Sequence, residues 1–426
     1  MSKEAKHTLI PKLRFPEFRE AGPWEEKQLG KVSEILRGGS PRPIDNFLTK
    51  SPDGLNWLKI GDVDKESKYV AHTEEKVKKS ALSKTREVFP GDLIMSNSMS
   101  FGRPYILKIK SCIHDGWIAV TKIAANIDRD YLYYIILGDN SQSYFINSAA
   151  GGGIKNLNAE IIKLLPVLFP KPSEQQKIAA TLTSLDELIS AQGEKIKALQ
   201  AHKKGLMQQL FPAEGEMMPR LRFGEFEGEW ESVGLENITH KIMVGIASAA
   251  THAYRKSGVI LFRNQNIKEG FLDDKEILYI DEDYEKAHRS KRLKAGDLLI
   301  ARTGYPGIAC VVPKKHEGSQ SFTTLIARPN SKVIDSTYLC LYINSELGQA
   351  FFNSTKIGGG QQNVNAGSLS KMPVPLPSDK EQQKIASFLT SLDDLISAQN
   401  QKLEALKTLK KGLMQQLFPN PKEMEV

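Results

Sequence analysis

Apolar residues fall four and three apart along two stretches of this chain. The first runs Ile178, Leu182, Leu185, Ile189, Ile196, Leu199, Leu206 and Leu210. The second runs Ile385, Leu389, Leu392, Ile396, Leu403, Leu406, Leu413 and Leu417. Such spacing predicts two long amphipathic helices, each with a heptad seam. Gln192 and Gln399 interrupt the seams near their middles, and Lys203 and Lys410 near their ends. A buried amide in a seam costs stability but fixes register. The plainer alternative puts these residues at the seam edge, with their polar ends reaching water. Ser173, or Ser378 with Asp379, is placed to cap each start, and Gln176, Glu381 or Gln382 stands at capping-box spacing. Pro212 and Pro419 stop the helices. At 1.5 Å per residue, each is a rod of about 57 Å.

The remaining chain has a shorter period. Runs such as "GDLIMS", "GWIAVTKI", "GDLLIAR", "GIACVVP" and "SFTTLIAR" read as strands between Gly, Pro and Asn punctuation. Helices are expected over residues 129–147 and 336–353. The fold class is therefore α+β: two pseudo-symmetric globular α/β domains separated by a long antiparallel two-helix coiled coil.

The symmetry is written in the sequence. The 39 residues from Glu174 match the 39 from Glu381 at 29 positions without a gap. "KKGLMQQLFP" is identical at Lys203–Pro212 and Lys410–Pro419. "PKLRFPEF" at Pro11 pairs with "PRLRFGEF" at Pro219, and "GGGIKNLNAE" at Gly151 with "GGGQQNVNAG" at Gly358. Self-similarity on this scale makes the chain two copies of one unit. The expected parts are a first head with an N-terminal arm (1–172), a first spacer helix (173–212), a second head with its linker (213–378), a second spacer helix (379–419) and a tail (420–426). The linker "FPAEGEMMPRLRF" resembles the C-terminal "FPNPKEMEV" joined to the N-terminal "TLIPKLRF". That likeness predicts neighbouring termini. The aromatics Phe15, Phe18 and Trp24, with Phe223, Phe226 and Trp230 in the second copy, are expected to dock the two arms.

Composition adds little constraint. Apolar residues make up 40% and charged residues 25% of 426, which suits globular domains with sizeable cores. The net charge of +8 permits a polyanionic partner without requiring one. Cys112, Cys310 and Cys340 form no CxxC pair, and the opening residues contain no apolar signal segment, so a reducing cytoplasm is expected. Catalytic signatures are missing from the sequence. It contains no GxxxxGK[ST] loop, no Asn-Pro-Pro-aromatic stretch and no histidines at metal-ligand spacing. A nuclease-like pattern of Pro52-Asp53 with Glu66-x-Lys68 can be drawn, but the second copy has no counterpart. Asp92 and Asp297 match across copies, each after Gly in a "GDL" turn, and read as turn caps.

Two different heads on near-identical spacers describe a reader of two sites on something long. In "LRFPEF", "FPGDLI" and "GGGIKNLNAEIIKLLPVLFPKPSEQQKIA", with the second copy of each, the chain resembles the specificity subunits of type I restriction–modification systems. The resemblance covers essentially the full length. It implies a non-catalytic subunit whose heads each read half of a bipartite double-stranded DNA target, the helices setting the gap. It also implies two modification subunits that bind S-adenosylmethionine and methylate adenine, and two ATP-dependent restriction subunits. No cofactor and no metal is expected in this chain itself.

Base contacts do not transfer by motif, because the reading loops of such subunits vary. Polar and basic residues beside glycines are the candidates: Arg42, Ser96, Asn97, Arg103, Lys155 and Asn156 in the first head, and Arg263, Asn264, Arg302, Thr303, Gln361 and Gln362 in the second. Arg suits guanine, Asn and Gln suit adenine, and Ser or Thr suits a base or a phosphate. The acidic run from Asp273 to Glu285 is expected to face away from DNA. Asp186 with Glu187, and Asp393 with Asp394, put matching charge on the two helices, expected on outward faces that bind partners. Two other readings compete: a coiled-coil scaffold joining protein-binding heads, and an enzyme with a degenerate nuclease site in the first head.

Overall fold

The computed structural model describes residues 10–64, 66–97, 102–148, 157–248, 250–355 and 363–419. The chain forms two compact units, Met1–Gly193 with Gln401–Val426, and Glu194–Asn400. The division falls inside both spacer helices, Pro172–Leu210 and Asp379–Leu417. Each unit therefore holds a head, the start of the helix that follows it, and the end of the other helix.

In the first head, one sheet runs in the order Glu34–Arg37, Trp117–Thr121, Leu93–Ser96, Pro104–Leu107, Tyr69–Val70. Its central strand is buried on both faces, and period-two alternation sorts its side chains. Leu93 and Met95 join the core shared with Tyr131, Ile178 and Leu182, while Ile94 joins the core beneath the second sheet with Leu58 and Ile113. That second sheet runs Leu48–Thr49, Glu75–Val77, Leu55–Leu58, Ser111–Ile113, Arg86–Val88. The second head repeats the plan with two four-stranded sheets. Leu298 and Ile300 face its helices, and Leu299 faces the other sheet.

The expected helix over 129–147 is two helices, Arg129–Leu137 and Asp139–Ser148. Its counterpart is Ser336–Asn344 and Glu346–Thr355. Gly138 and Ser345 sit at the breaks with extended backbone, and their N–H groups close the preceding turns. The bend brings Phe145 and Phe352 onto Gly102 and Gly307. A Cβ at those glycines would lie 2.7 and 2.6 Å from the rings, and both have φ above +70°. Only glycine meets both conditions. "SFTTLIAR" is likewise two strands, Gln320–Ser321 and Leu325–Pro329, interrupted by Thr323 at φ 51°.

The first spacer helix starts at Pro172, one residue before the expected cap, because Pro suits the first helical position. Ser173 lies inside the first turn, where the Lys171 carbonyl accepts from the N–H groups of Glu174 and Gln175. Glu381 and Gln382 do not close a capping box either. The Glu381 carboxylate accepts from Arg222 Nε and Nη2 at 2.7 and 2.8 Å, and the Gln382 amide donates to the carbonyls of Pro377 and Val333. The first copy matches: Glu174 accepts from Arg14 at 2.8 and 2.7 Å, with both side chains buried. These clasps tie each "LRF" arm to the start of the helix after its own head. Trp24 and Trp230 are buried edge-on to Tyr131 and Tyr338, while Phe15, Phe18, Phe223 and Phe226 are half-buried along the arms. The arms dock through their aromatics as the sequence suggests.

Both seams form. Ile178, Leu182, Leu185 and Ile196 are buried in the first helix, and Ile385 and Leu389 in the second. Ile189, Leu199, Leu392, Ile396, Leu403 and Leu406 are half-buried. Gln192 is buried and Gln399 half-buried, which favours the seam over its edge. In the first unit, Ile178 and Leu182 share a core with Leu417 and Phe418; in the second, Ile385 and Leu389 share one with Leu210 and Phe211. Start meets end, so the packing is antiparallel. Lys410 pairs with Asp186 at 2.5 Å, and Lys203 with Asp393 at 2.6 Å. Asp186 and Asp393 thus turn toward the neighbouring helix rather than outward, and only Glu187 and Asp394 of the four acids are exposed. The two ends of the described chain approach: Leu13 N–H donates to the Gln416 carbonyl at 2.9 Å.

Candidate nucleic-acid interface

In the second head, three loops converge. Asn264–Asn266 is a single 3-10 turn, held by buried Asn266, whose amide oxygen accepts from Arg263 N–H and whose nitrogen donates to the carbonyls of Asp273 and Lys275. This fixes Arg263, whose guanidinium donates to the Glu276 carbonyl at 2.6 Å. Asn264 Oδ1 accepts from Arg302 N–H at 2.7 Å, so two candidates 38 positions apart meet directly. Asn264 Nδ2 also reaches Thr323 Oγ1 at 3.3 Å. Beyond Arg302 the loop turns at Gly304 and Gly307, both with positive φ, and lifts Tyr305 to 80% exposure. Arg302 and Thr303 are half-buried at its base.

In the first head, loops gather around Asp115. Its carboxylate accepts from Ser40 Oγ at 2.8 Å and faces His114 Nε2 at 3.0 Å and Arg42 at 3.5 Å. Its carbonyl accepts from Asn97 Nδ2 at 2.9 Å and Arg37 Nε at 3.4 Å. Burial alone would raise the Asp115 carboxyl, but the Ser40 hydroxyl and the charges of His114, Arg42 and Arg37 outweigh it and hold it below the usual aspartate value. Arg42 is largely exposed. Asn97 is buried, so its side chain holds the Asp115 loop rather than facing outward, and Ser96 is buried within its strand. Arg103 is half-buried, with its guanidinium over the Tyr105 ring at 5.7 Å. Lys155, Asn156, Gln361 and Gln362 lie outside the described residues. Leu157 N–H, just after the first pair, donates to the Asn97 carbonyl.

Strand register matches the two clusters. Leu93 and Ile94 pair with Val120 and Ala119, as Leu298 and Leu299 pair with Ala327 and Ile326. Asn97 therefore corresponds to Arg302, and Asp115 to Phe322. One scaffold presents a carboxylate hub in the first head, and an arginine, an aromatic and an exposed tyrosine in the second. Sequence reasoning missed Ser40, His114, Asp115 and Tyr305. "TGYPG" carried the only local signal, a bulky residue between glycines.

Part of the acidic run is paired locally. Asp274 pairs with Lys315 and His316, Asp281 caps Glu282–Ala287, and buried Glu285 pairs with Arg292. Hydrogen bonds from Lys315 and Arg292, above all, hold the Asp274 and Glu285 carboxyls low. Lys68 of the nuclease-like pattern is buried, and its ammonium pairs with Asp130 at 2.7 Å. Among the described residues no cluster of His, Cys, Asp or Glu could hold a metal, and no helix is long and apolar enough to cross a membrane.

Residues 22–201 and 227–408 both match the type I restriction modification DNA specificity domain. The chain belongs to that family. Its relatives include the specificity subunit of the type I restriction enzyme MjaVIII from Methanocaldococcus jannaschii, 26% identical over 95% of this chain and 93% of that one. The specificity subunit of EcoKI from Escherichia coli K12 is 20% identical over 93% of this chain and 88% of that one. Two solved structures share the fold. One, from work on complex assembly and conformational transition of the type I R-M system, has a TM-score of 0.60 at 16% identity, covering 93% of this chain and 98% of its own. The other, the type I restriction–modification S subunit from M. genitalium, has a TM-score of 0.57 at 14% identity, covering 96% and 99%. For this specificity family the duplicated heads and the spacer helices are the expected architecture, and the chain serves DNA target specificity rather than catalysis.

Proposed function

We propose that the two heads, residues 1–172 and 213–378, each read one half of a bipartite DNA target, and that the spacers, 173–212 and 379–419, set the gap. The observation that carries this is the contrast at matched positions: Asn97 against Arg302, and Asp115 against Phe322, on scaffolds that otherwise agree. Different donors and acceptors on one frame suit two different half-sites. In the second head, Arg263, Asn264, Arg302 and Thr303 are the reading candidates, with Gln361 and Gln362 following the same logic. In the first head, Arg42 and Arg103 are the basic candidates, with Lys155 and Asn156 following the same logic. Asn97 acts through Asp115, and Ser96 through its strand. The chain works in a complex with methylase and restriction subunits; its relatives are named as specificity subunits of type I restriction enzymes. We take two of each, with S-adenosylmethionine and ATP bound by those partners, acting on DNA in the cytoplasm.

Methylome sequencing of a host carrying the system tests the reading directly. A split motif is expected, and exchanging residues 213–378 for another second head should change one half only. The purified chain alone should neither cut nor methylate. Equal binding to all sequences in the presence of the methylase would overturn the reading.

A further inference from the structure

The loop beyond Arg302 ends in an apolar side chain. Tyr305 is 80% exposed, and among the described residues no large apolar side chain is more so. A single exposed aromatic is ordinary on a protein surface. Tyr305 differs in its mount. Ala301 N–H donates to the Ile308 carbonyl at 2.8 Å, and Gly307 N–H to the Ala301 carbonyl at 2.9 Å, which closes the loop at its base. The Gln349 amide donates to the Gly307 carbonyl at 3.0 Å, and the Phe352 ring packs on Gly307. Pro306 is buried, and Tyr305 N–H donates to the Thr303 carbonyl at 3.1 Å. The backbone on both sides is tied down while the ring stands in solvent.

The first head builds the same mount. Gly102 N–H donates to the Ser96 carbonyl at 2.9 Å, the Gln142 amide donates to the Gly102 carbonyl at 3.1 Å, and the Phe145 ring packs on Gly102. The residues carried between differ in sequence, "SMSF" at 98–101 against "TGYP" at 303–306. A frame kept in both heads with a changed tip suits a recognition element at the tip. Chemistry narrows what that element meets. Arg302 and Thr303 put donors at the base of the loop, and Arg302 Nε finds no hydrogen-bond partner among the described residues. In the major groove guanine offers arginine two acceptors, and the thymine C5-methyl is the apolar group on a base edge. Tyrosine brings a large ring with few rotatable bonds, so contact costs it little freedom. We propose that the Tyr305 ring packs on a thymine methyl in the half-site read by the second head, and selects thymine at that position. This rests on the reading of that head as a half-site reader.

The test uses the split motif from methylome sequencing as a duplex, competed for the full chain in complex with the methylase. Deoxyuridine replaces each thymine of that half-site in turn, on either strand, which removes only the methyl group. One position should lose about fourfold in affinity, the worth of one buried methyl. Tyr305→Ala should bind the unmodified target about tenfold more weakly. In that variant deoxyuridine at the same position should cost nothing further. Tyr305→Phe should keep both the affinity and the methyl sensitivity. The proposal is overturned by a half-site without an A·T pair, by deoxyuridine without effect at every thymine, or by a methyl sensitivity that survives in Tyr305→Ala. A Tyr305→Phe loss as large as that of Tyr305→Ala also overturns it, since the hydroxyl would then be the contact. Equal binding of all sequences by the unaltered chain would instead overturn the half-site reading beneath it.

Discussion

Asp92 and Asp297 do the same local work: each carboxylate accepts a turn N–H, from Phe89 and Lys294 respectively, at 2.8 Å. Their surroundings differ. Asp297 is buried against Arg328 in a two-pronged pair, while Thr121 holds the corresponding place in the first head. Burial raises the Asp92 carboxyl above its usual value, despite the Phe89 N–H. A raised acid holds its proton more tightly when folded, so its contribution to stability falls as pH rises from the ordinary aspartate range through the raised value. Asp92→Asn should therefore be neutral or slightly stabilising at neutral pH. Asp297→Asn strands the Arg328 charge and should cost about 3–5 kcal/mol. Urea unfolding of the two variants checks this; equal losses would contradict it. Arg302→Ala should lose about 1–3 kcal/mol at one base of one half-site, measured by competition among mutated targets in the presence of the methylase. A uniform loss across sequences would make Arg302 a phosphate contact. Asn264→Ala should weaken the same half-site, because it frees the Arg302 backbone.

At the level of elements, the spacers were the most legible part, because a seam of Leu and Ile at heptad spacing has few other solutions. The strands around Leu93 and Leu298 were legible for a similar reason. Their ends were not. Nothing in "DRDYLYYIILGDNSQSYFIN" announces that Gly138 must break the helix so that Phe145 can meet Gly102, since that demand comes from tertiary packing. The β-branched side chain of Thr323 favours a strand, whereas loop closure holds it in the left-handed region. The reading site was the least legible, since Asp115 gathers its partners from three separate stretches, residues 37–42, Asn97 and its neighbour His114. The buried clasps Arg14–Glu174 and Arg222–Glu381 lay in plain view within duplicated motifs. The spacers also carry a length prediction. Four residues inserted after both Gln192 and Gln399 add about 6 Å along each helix. The gap between half-sites should widen by one or two base pairs, at about 3.4 Å each, with both half-sites unchanged. Sequencing the methylated sites reads this directly; an unchanged gap would separate helix length from spacing.

The whole chain is built by exchange. Each unit takes the start of one helix from its own copy and the end of a helix from the other. Leu13 N–H meets the Gln416 carbonyl, and Leu221 N–H meets the Gln209 carbonyl, at 2.9 Å in both cases. Phe418 packs on Tyr131 as Phe211 packs on Tyr338. A chain cut after Pro212 therefore keeps its arm, head and first helix but loses the Leu413–Phe418 end that completes its core. Its own helix end, Leu206–Phe211, is identical in sequence to the missing one and has nothing left to cover. Two such half-length chains can trade these ends and restore both cores. Sedimentation should find a dimer, and a well-folded monomer would contradict the exchange. Such a dimer would have true two-fold symmetry, and a protein with that symmetry reads a palindrome. A half-length chain would then be a reader of inverted repeats, and joining two diverged halves would let one chain read two different half-sites.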